Sequence, residues 1–452
     1  MKRYIYIIIG IVVAAAIAIL VLFLIKDHST SSTLNLSGAT TTTGLLPTTG
    51  TQGSNSATGN STSALGLPTT TGSSTPGTSG QMTVQNFGVL SQDPVGDYFV
   101  DAQNNITAIE PTGAIITISN GQSAVVNSST IDSIISAGFS YDGKKIVVSY
   151  GDPSNPQAAV FDTATNAWTA LPQGMLSPQW SPINNYLIAY LASTSSGKLT
   201  LATLNAANLK AAPSVLLTLN ADDLTLQWPT KNDFILADKP TSENAGSVWT
   251  FDSSAGTLTP LIYEVSGAEG IWSHNAAIPY GLAFFNSVSG QGNTLQLQAF
   301  TGSLATQPLS FLTLPSKCAF DTELMPIATS TATSSVSAAT SAATSTPSST
   351  AKAKKIAAIQ PAAPTSTPYL ALYCGIPRSS SGFSSAKLPD DYETMALFTS
   401  DDIYKINTAT GAEQILWNDA TQNMDVSDVK FFNDALFFIN RYDQKLYGLT
   451  FK

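Results

Sequence analysis

The sequence predicts an all-β protein assembled from repeated units of four short strands, and two observations support this. An aromatic residue, a polar turn and an apolar strand follow one another at four places, at intervals of 41, 48 and 44 residues; the aromatics are Phe139, Trp180, Trp228 and Trp272. A strand–turn–strand segment such as "AAVFDTATNAWTALP" completes the unit. A period of about 40 to 50 residues with several short strands is typical of β-propeller blades.

Ahead of the repeats, residues 4–25 form a run of 22 residues without a charge. At about 1.5 Å per residue, a helix of that length spans a hydrocarbon core of about 30 Å. A cleaved signal peptide is the alternative, but no A-x-A cleavage pattern follows in "FLIKDHSTSS". Two basic residues precede the run, whereas the lysine and aspartate after it offset each other. Residues 1–27 are therefore predicted to be a single-pass membrane anchor with a cytoplasmic N-terminus. The rest of the chain is then extracytoplasmic, either periplasmic or on the cell surface.

Residues 28–81 are predicted to be a disordered tether. The chain carries no Asp, Glu, Lys or Arg from Ser29 to Gln92, and much of this stretch is Ser, Thr and Gly with scattered Pro. Such a segment buries too little apolar surface to offset the entropy of ordering it. A flexible chain of about 50 residues has an r.m.s. span of roughly 40 Å, which would hold the next domain clear of the membrane.

Residues 82–452 are predicted to form the propeller, and the stretch "FSYDGKKIVV" at Phe139 is interpreted as the turn between the first two strands of a blade. Asp142 and Gly143 suit a tight hairpin because both residue types favour turn conformations. The alternative, an aspartate that carries chemistry, lacks a partner nearby in sequence.

We count about seven four-stranded blades, with six or eight left open. The last unit, "VKFFNDALFFINRYDQKLYGLTF", supplies three strands before the sequence ends. Propellers commonly close their ring with a strand from the other terminus. The segment "TVQNFGVL" before Asp93 is the predicted closing strand.

One blade is interrupted by a low-complexity run, which predicts a disordered insertion at residues 326–368. With the insertion removed, Cys318 and Cys374 become neighbours across an antiparallel strand pair, at a separation that suits a disulfide. Disulfides persist outside the cytoplasm. Two buried free thiols are the alternative. A bridge would close a loop of roughly 55 residues, worth about 4 kcal/mol in the chain-entropy model.

The segments "FSYDGKKIVV" and "AAVFDTATN" together resemble the TolB-type propeller repeat, in which W-S-P-D-G-K-x-I-A-F precedes a strand ending in D-x-x-T-G. "QWSPINNYLIAYL" matches the first half without D-G, and "DIYKINTATG" matches the second half. The similarity extends over residues 93–452 and implies a propeller. It does not imply the role of TolB, because the anchor, tether and insertion differ. The combination also resembles uncharacterised, N-terminally anchored propeller proteins of bacteria.

The sequence shows no catalytic residue, cofactor site or metal site. Charged residues make up 11% of the chain and the net charge is -10, so nucleic acid is not an expected partner. There is no G-x-S-x-G motif and no calcium loop.

His274 is interpreted as a turn residue. Three acidic pairs are interpreted as solvated loop residues, although carboxylates from separate blades could still form a glycosidase site; the pairs are Asp222-Asp223, Asp390-Asp391 and Asp401-Asp402.

A long connection between Ile376 and Asp402 lies outside the repeat pattern, and long loops on rigid scaffolds often form binding surfaces. It is the predicted contact loop, with four apolar candidates: Phe383, Tyr392, Met395 and Phe398. The alternative is a loop that covers a hydrophobic edge of the propeller.

Two functions from different classes remain. The first is a membrane-tethered scaffold that binds an envelope protein or glycan. The second is an extracytoplasmic carbohydrate-active enzyme that uses carboxylates near the propeller channel. A cluster of carboxylates at the channel mouth, with a raised pKa in one of them, would favour the enzyme.

Overall fold

The computed structural model describes residues 84–119, 121–275, 280–286, 293–299, 307–321, 325–326 and 368–451, all within the unit Leu45–Lys452. The predicted anchor and tether, and nearly all of the predicted insertion, lie outside these residues. Within them, no helix is long and apolar enough to cross a membrane.

The described residues are mostly β-strand, and the strands form antiparallel sheets in chain order. The first strand, β1 (Val84–Val89), belongs to the last sheet. Sheets A, B and C each contain four consecutive strands. Sheet A consists of β2 (Asp97–Val100), β3 (Ile106–Ile109), β4 (Ile115–Ser119) and β5 (Gln122–Asn127). Sheet B consists of β6 (Ile134–Phe139), β7 (Lys145–Tyr150), β8 (Gln157–Asp162) and β9 (Ala167–Ala170). Sheet C consists of β10 (Leu176–Trp180), β11 (Leu187–Ser193), β12 (Leu199–Asn205) and β13 (Ser214–Leu219).

Sheet D has seven strands because β17 serves two strand pairs. Its N-terminal part pairs with β16 as far as Ser266, and its C-terminal part pairs with β18. A register shift and a positive φ of 66° at Gly267 mark the change of partner. The strands are β14 (Leu224–Gln227), β15 (Asp233–Asp238), β16 (Ala245–Asp252), β17 (Thr257–Trp272), β18 (Tyr280–Asn286), β19 (Asn293–Ala299) and β20 (Gln307–Pro308).

The last two sheets again have four strands each. Sheet E follows a 3₁₀ turn (Pro315–Lys317) and has the order β21-β24-β25-β26: β21 (Cys318–Phe320), β24 (Ala371–Pro377), β25 (Asp401–Asn407) and β26 (Glu413–Trp417). Two short strands, β22 (Met325–Pro326) and β23 (Pro368–Tyr369), pair at the two ends of the predicted insertion. The helices α1 (Ser380–Ser385) and α2 (Asp390–Glu393) lie between β24 and β25.

Sheet F has the order β1-β29-β28-β27, in which β1 is the first strand of the described chain. The other three strands are β27 (Val426–Phe432), β28 (Ala435–Asn440) and β29 (Lys445–Phe451).

The predicted closing strand is confirmed. Strand β1 pairs antiparallel with β29, so that Phe87 faces Leu449. The last sheet also packs against the first, because Phe437 and Leu446 share a buried cluster with Tyr98 and Ile106. The N-terminal and C-terminal parts of the described chain are therefore joined both by strand pairing and by packing.

The hydrophobic core lies between neighbouring sheets. Trp180 packs with residues of sheets B and C, and its indole N–H donates to the Gly138 carbonyl at 3.0 Å. Trp228 joins sheets C and D, and Trp272 lies in a cluster within sheet D. All three indoles are buried, as their place in the repeat predicted. Successive four-stranded meanders packed in this way have the organisation of propeller blades.

The stretch "SYDGK" is the predicted turn between the first two strands of sheet B. Asp142 accepts hydrogen bonds from the Ser140 hydroxyl and the Lys144 N–H, and Gly143 has a φ of 69°. A Cβ at Gly143 would lie 2.1 Å from the Phe99 ring of sheet A, so a side chain there would meet both strain and a clash. Here Asp142 shapes a turn.

Candidate functional site

The candidate site is built on the loop of residues 378–400, which joins β24 to β25. The hydroxyl of Ser379 accepts a hydrogen bond from the Ser381 N–H and caps α1. One side chain of the neighbouring sheet F fixes the loop. Arg441, in the turn after β28, donates to the carbonyls of Tyr392 and Leu397. The 378–400 loop is therefore attached to sheet F as well as to its own sheet E.

The far side of the same loop is attached to sheet D. Asp390 accepts hydrogen bonds from the N–H and hydroxyl of Ser242, at 3.0 and 2.6 Å. Lys387 forms an exposed ion pair with Glu243 at 2.8 Å. The loop thus contacts sheets D, E and F, and it is held on two sides.

The four predicted contact residues divide into two pairs, and the first pair is buried. Phe383 and Tyr392 pack with Leu388 in the cluster that also contains the two cysteines. These two side chains fill an apolar space beneath the loop. Their burial agrees with the alternative interpretation of the sequence, in which the loop covers a hydrophobic edge of the propeller.

The second pair, Met395 and Phe398, is exposed, with 49% and 37% of the residue surface accessible. Phe398 stacks on Tyr442, which is itself 45% exposed, with ring centroids 5.2 Å apart. The Arg441 guanidinium lies 4.9 Å from the Phe398 ring centroid. We call the stacked pair Phe398 and Tyr442, together with the exposed Met395, the aromatic surface. Sequence reasoning missed Tyr442, although an aromatic residue in the polar turn "NRYDQ" could have indicated it.

A buried ionic cluster lies beneath the loop. The Lys317 ammonium is 2.5 Å from Asp401 Oδ2 and 2.6 Å from Asp425 Oδ1, and all three side chains have 0% of their surface exposed. Thr399 accepts the third ammonium hydrogen bond at 2.7 Å. Arg441 pairs with the other oxygen of Asp425 at 2.7 Å. Two cations and two carboxylates therefore balance in the core, and we call them the buried cluster.

Burial and charge oppose each other in this cluster. Burial by itself lowers the pKa of Lys317, but Asp401 and Asp425 outweigh it and raise that pKa well above its ordinary value. Burial raises the pKa of Asp401 although Lys317 opposes the shift. Burial also raises the pKa of the Tyr392 hydroxyl. The Tyr392 ring faces Arg441 at 3.6 Å and Lys317 at 5.1 Å, so its π-face contacts both cations.

A second Lys–Asp–Asp cluster lies where the first strands of sheets A and F meet. Lys430 is 2.6 Å from Asp97 and 3.4 Å from Asp428, and its ammonium lies 4.1 Å above the Tyr98 ring. About a third of the Lys430 side chain is exposed. Burial, with the nearby Asp97 carboxylate, raises the pKa of Asp428 to about 7 despite Lys430. We call this the edge cluster, and it was not predicted from sequence.

The acidic pairs identified in the sequence differ in their exposure. Asp222 and Asp223 are exposed, as predicted for solvated loop acids. The pair Asp401-Asp402 was interpreted in the same way, and for Asp401 that was wrong. Successive strand residues face opposite sides, so Asp401 enters the buried cluster while Asp402 pairs with Arg378 at 2.6 Å.

His274 lies in the turn after β17, with Nδ1 3.0 Å from the Pro229 carbonyl oxygen. Among the described residues, no group of three or more His, Cys, Asp or Glu side chains could hold a metal ion.

The predicted disulfide is confirmed. Cys318 and Cys374 are directly opposite in the β21–β24 pair, with a Cα–Cα distance of 4.2 Å, and they are bonded. The bridge joins strands that are separated by the predicted insertion, at a sequence separation of 56. It lies next to Lys317 and therefore beside the buried cluster.

No protein-family model and no curated protein sequence matches this chain. Among solved structures, the propeller domain of the Trilobed protease from Pyrococcus furiosus is similar over 82% of this chain and 97% of its own, at 10% identity and a TM-score of 0.42. An uncharacterized protein from Listeria monocytogenes is similar over 80% of this chain and 97% of its own, at 10% identity and a TM-score of 0.45. TolB from Acinetobacter baumannii is similar over 79% of this chain and 62% of its own, at 11% identity and a TM-score of 0.31. The sheets and their packing define the fold of this chain.

Proposed function

We propose that the chain is a membrane-tethered, extracytoplasmic β-propeller of seven blades that acts as a binding scaffold in the cell envelope. In this proposal the aromatic surface on the 378–400 loop contacts a protein partner. The uncharged run at residues 4–25 supports the tethering.

The count of seven follows if sheet D is divided at β17 into two blades. Each resulting unit then begins with its own first strand and packs on the next through a buried apolar cluster. The cluster between sheets F and A supports ring closure.

The observation that carries the binding proposal is an exposed, stacked aromatic pair on a fixed base. Large apolar residues exposed singly on a surface need no explanation, but Phe398 and Tyr442 are stacked, and Met395, three residues before Phe398, is also exposed. The buried cluster and Arg441 hold the backbone beneath them. Rigid aromatic side chains with an arginine nearby are the residue types that dominate binding energy at protein interfaces.

The test compares two double variants of the full chain, tagged and cross-linked in the envelope of the source cells. We expect F398A/Y442A to reduce recovery of the cross-linked partner at least tenfold, because hot-spot truncations cost about 2 kcal/mol or more. The control is I183A/Y186A, which removes two exposed apolar residues from the turn between β10 and β11. Equal recovery by both variants would refute the proposed contact surface.

A second function, hydrolysis of an envelope carbohydrate, is favoured by one observation. Asp97 and Asp428 lie together on first strands, and Asp428 has a pKa raised to about 7, as an acid catalyst requires. Purified chain should then release sugar from envelope glycans, and D428N should abolish the release while D222N retains it. No release by the wild-type protein counts against this function.

A further inference from the structure

Lys317 and Asp401 are arranged for a covalent reaction as well as for an ion pair. Both side chains are withdrawn from water, and Asp425 lies within hydrogen-bond distance of the same ammonium. The Thr399 hydroxyl lies 2.7 Å from Lys317 Nζ, 2.8 Å from Asp401 Oδ1 and 3.1 Å from Asp425 Oδ1. An amine, a carboxyl group and two groups able to relay protons therefore meet in one dry site.

The charges in the buried cluster also favour condensation. Burying an ion pair costs several kcal/mol per ion in desolvation, and an amide formed from Lys317 and Asp401 would carry no charge. Asp425 and Arg441 would remain as a pair, 2.7 Å apart. Condensation therefore removes two buried charges and leaves the other two balanced.

We propose that Lys317 and Asp401 form an intramolecular isopeptide bond, assisted by Asp425 and Thr399. One ammonium proton first passes from Nζ to Asp425 Oδ1, 2.6 Å away, because an ammonium has no lone pair. The neutral amine then attacks Cγ of Asp401, and the bond from Cγ to Oδ1 breaks. Two of the three ammonium protons pass through Asp425 and Thr399 to Oδ1, which leaves as water, and the third stays on the amide nitrogen. Oδ2 becomes the amide oxygen and keeps its hydrogen bond from the Val426 N–H at 2.9 Å. The step needs no other reactant.

The bond would link the short strand β21 covalently to β25 of the same sheet. Strand β21 has three residues, and the predicted insertion separates it from the rest of sheet E in sequence. The disulfide joins β21 to β24, and the isopeptide bond would join the residue before β21 to the start of β25. Asp425 contributes to this reaction from the neighbouring sheet F, just before β27.

The test is the intact mass of the purified wild-type chain after reduction of the disulfide. We expect a mass lower than that of the unmodified chain by one water molecule. Trypsin should fail to cleave after Lys317, and fragmentation should find the Lys317 and Asp401 peptides joined. Lys430 is an internal control, because it also lies between two aspartates but is partly exposed, and cleavage after it should be normal.

Two variants separate the chemistry from folding. D425N, which removes the proton acceptor, should keep the full mass and restore cleavage after Lys317. D401N should lose one ammonia molecule in place of one water, since the leaving group changes. A wild-type chain of unreduced mass, or a water loss that fragmentation places elsewhere, overturns the proposal.

Discussion

The buried cluster and the edge cluster each contain one lysine between two aspartates, with Arg441 in addition in the buried cluster, yet they differ in their access to water. Lys317, Asp401 and Asp425 have no exposed side-chain surface. In the edge cluster, Lys430 and Asp428 each expose about a third of the side chain. The ion-pair distances overlap, since the shortest contacts in the two clusters are 2.5 and 2.6 Å.

The difference teaches that composition and distance do not set the energy of such a cluster. In the buried cluster every charge depends on protein partners, and the full set is supplied by Thr399, Arg441 and the Val426 N–H. In the edge cluster about a third of the Lys430 and Asp428 side chains is exposed, although Asp428 Oδ2 itself is buried, so the loss of one partner is partly compensated by water. Removing matching groups from the two clusters tests this contrast.

The largest effect is expected for Lys317→Met. This change leaves Asp401 and Asp425 buried with one cation, Arg441, to balance them. Leaving a buried carboxylate without its cation costs about 3–5 kcal/mol, whether Lys317 is an ion-pair partner or part of the proposed amide in the wild-type chain. The free energy of unfolding, measured by urea titration at neutral pH, should fall by that amount. A loss below about 1 kcal/mol would contradict the burial of these charges, since that is the range of exposed pairs.

Lys430→Met is the matched change in the edge cluster, and a smaller loss of about 1 kcal/mol is expected. Asp97 and Asp428 keep partial access to water, although the change also removes the contact of the ammonium with the Tyr98 ring. The same urea titration measures it. If the two lysine variants were destabilised equally, solvent access would not be the deciding difference between the clusters.

Much of the fold could be predicted from the sequence because propeller repeats are local. The Asp-Gly turn and the buried tryptophans depend on residues that follow a regular period. The two cysteines could be paired because they end adjacent strands once the low-complexity insertion between them is set aside. The closing strand could be predicted because one unit lacked a strand and the other end of the chain offered one.

The candidate site could be predicted only in part, because its contacts join distant residues. Lys317 contacts Asp401 and Asp425 across 84 and 108 residues. In sequence, Lys317 stands in the polar turn "LPSKCAF" and resembles a surface residue. The contact loop was found by its length, but the sequence could not show that Phe383 and Tyr392 point inward while Phe398 stacks on Tyr442.

The smallest expected effect is on pH dependence, tested with Asp428→Asn. The pKa of Asp428 is about 7 in the folded chain and 3.8 ordinarily, so between these values the folded state holds a proton that the unfolded state has lost. The contribution of Asp428 to the free energy of unfolding is therefore fully present below about pH 4, and it is lost as the pH rises to about 7.

In wild type this group should lower the melting temperature between about pH 5 and pH 8, and D428N should show a smaller decrease over that interval. D142N serves as the control, because hydrogen bonds from Asn185 and Ser140 outweigh burial and lower the Asp142 pKa. The Asp142 carboxyl is ionised in both the folded and the unfolded chain above about pH 5. Its removal should therefore change the melting temperature by the same amount at about pH 5 and about pH 8. An identical pH slope in D428N and wild type would show that water at the edge cluster is sufficient to keep Asp428 ionised.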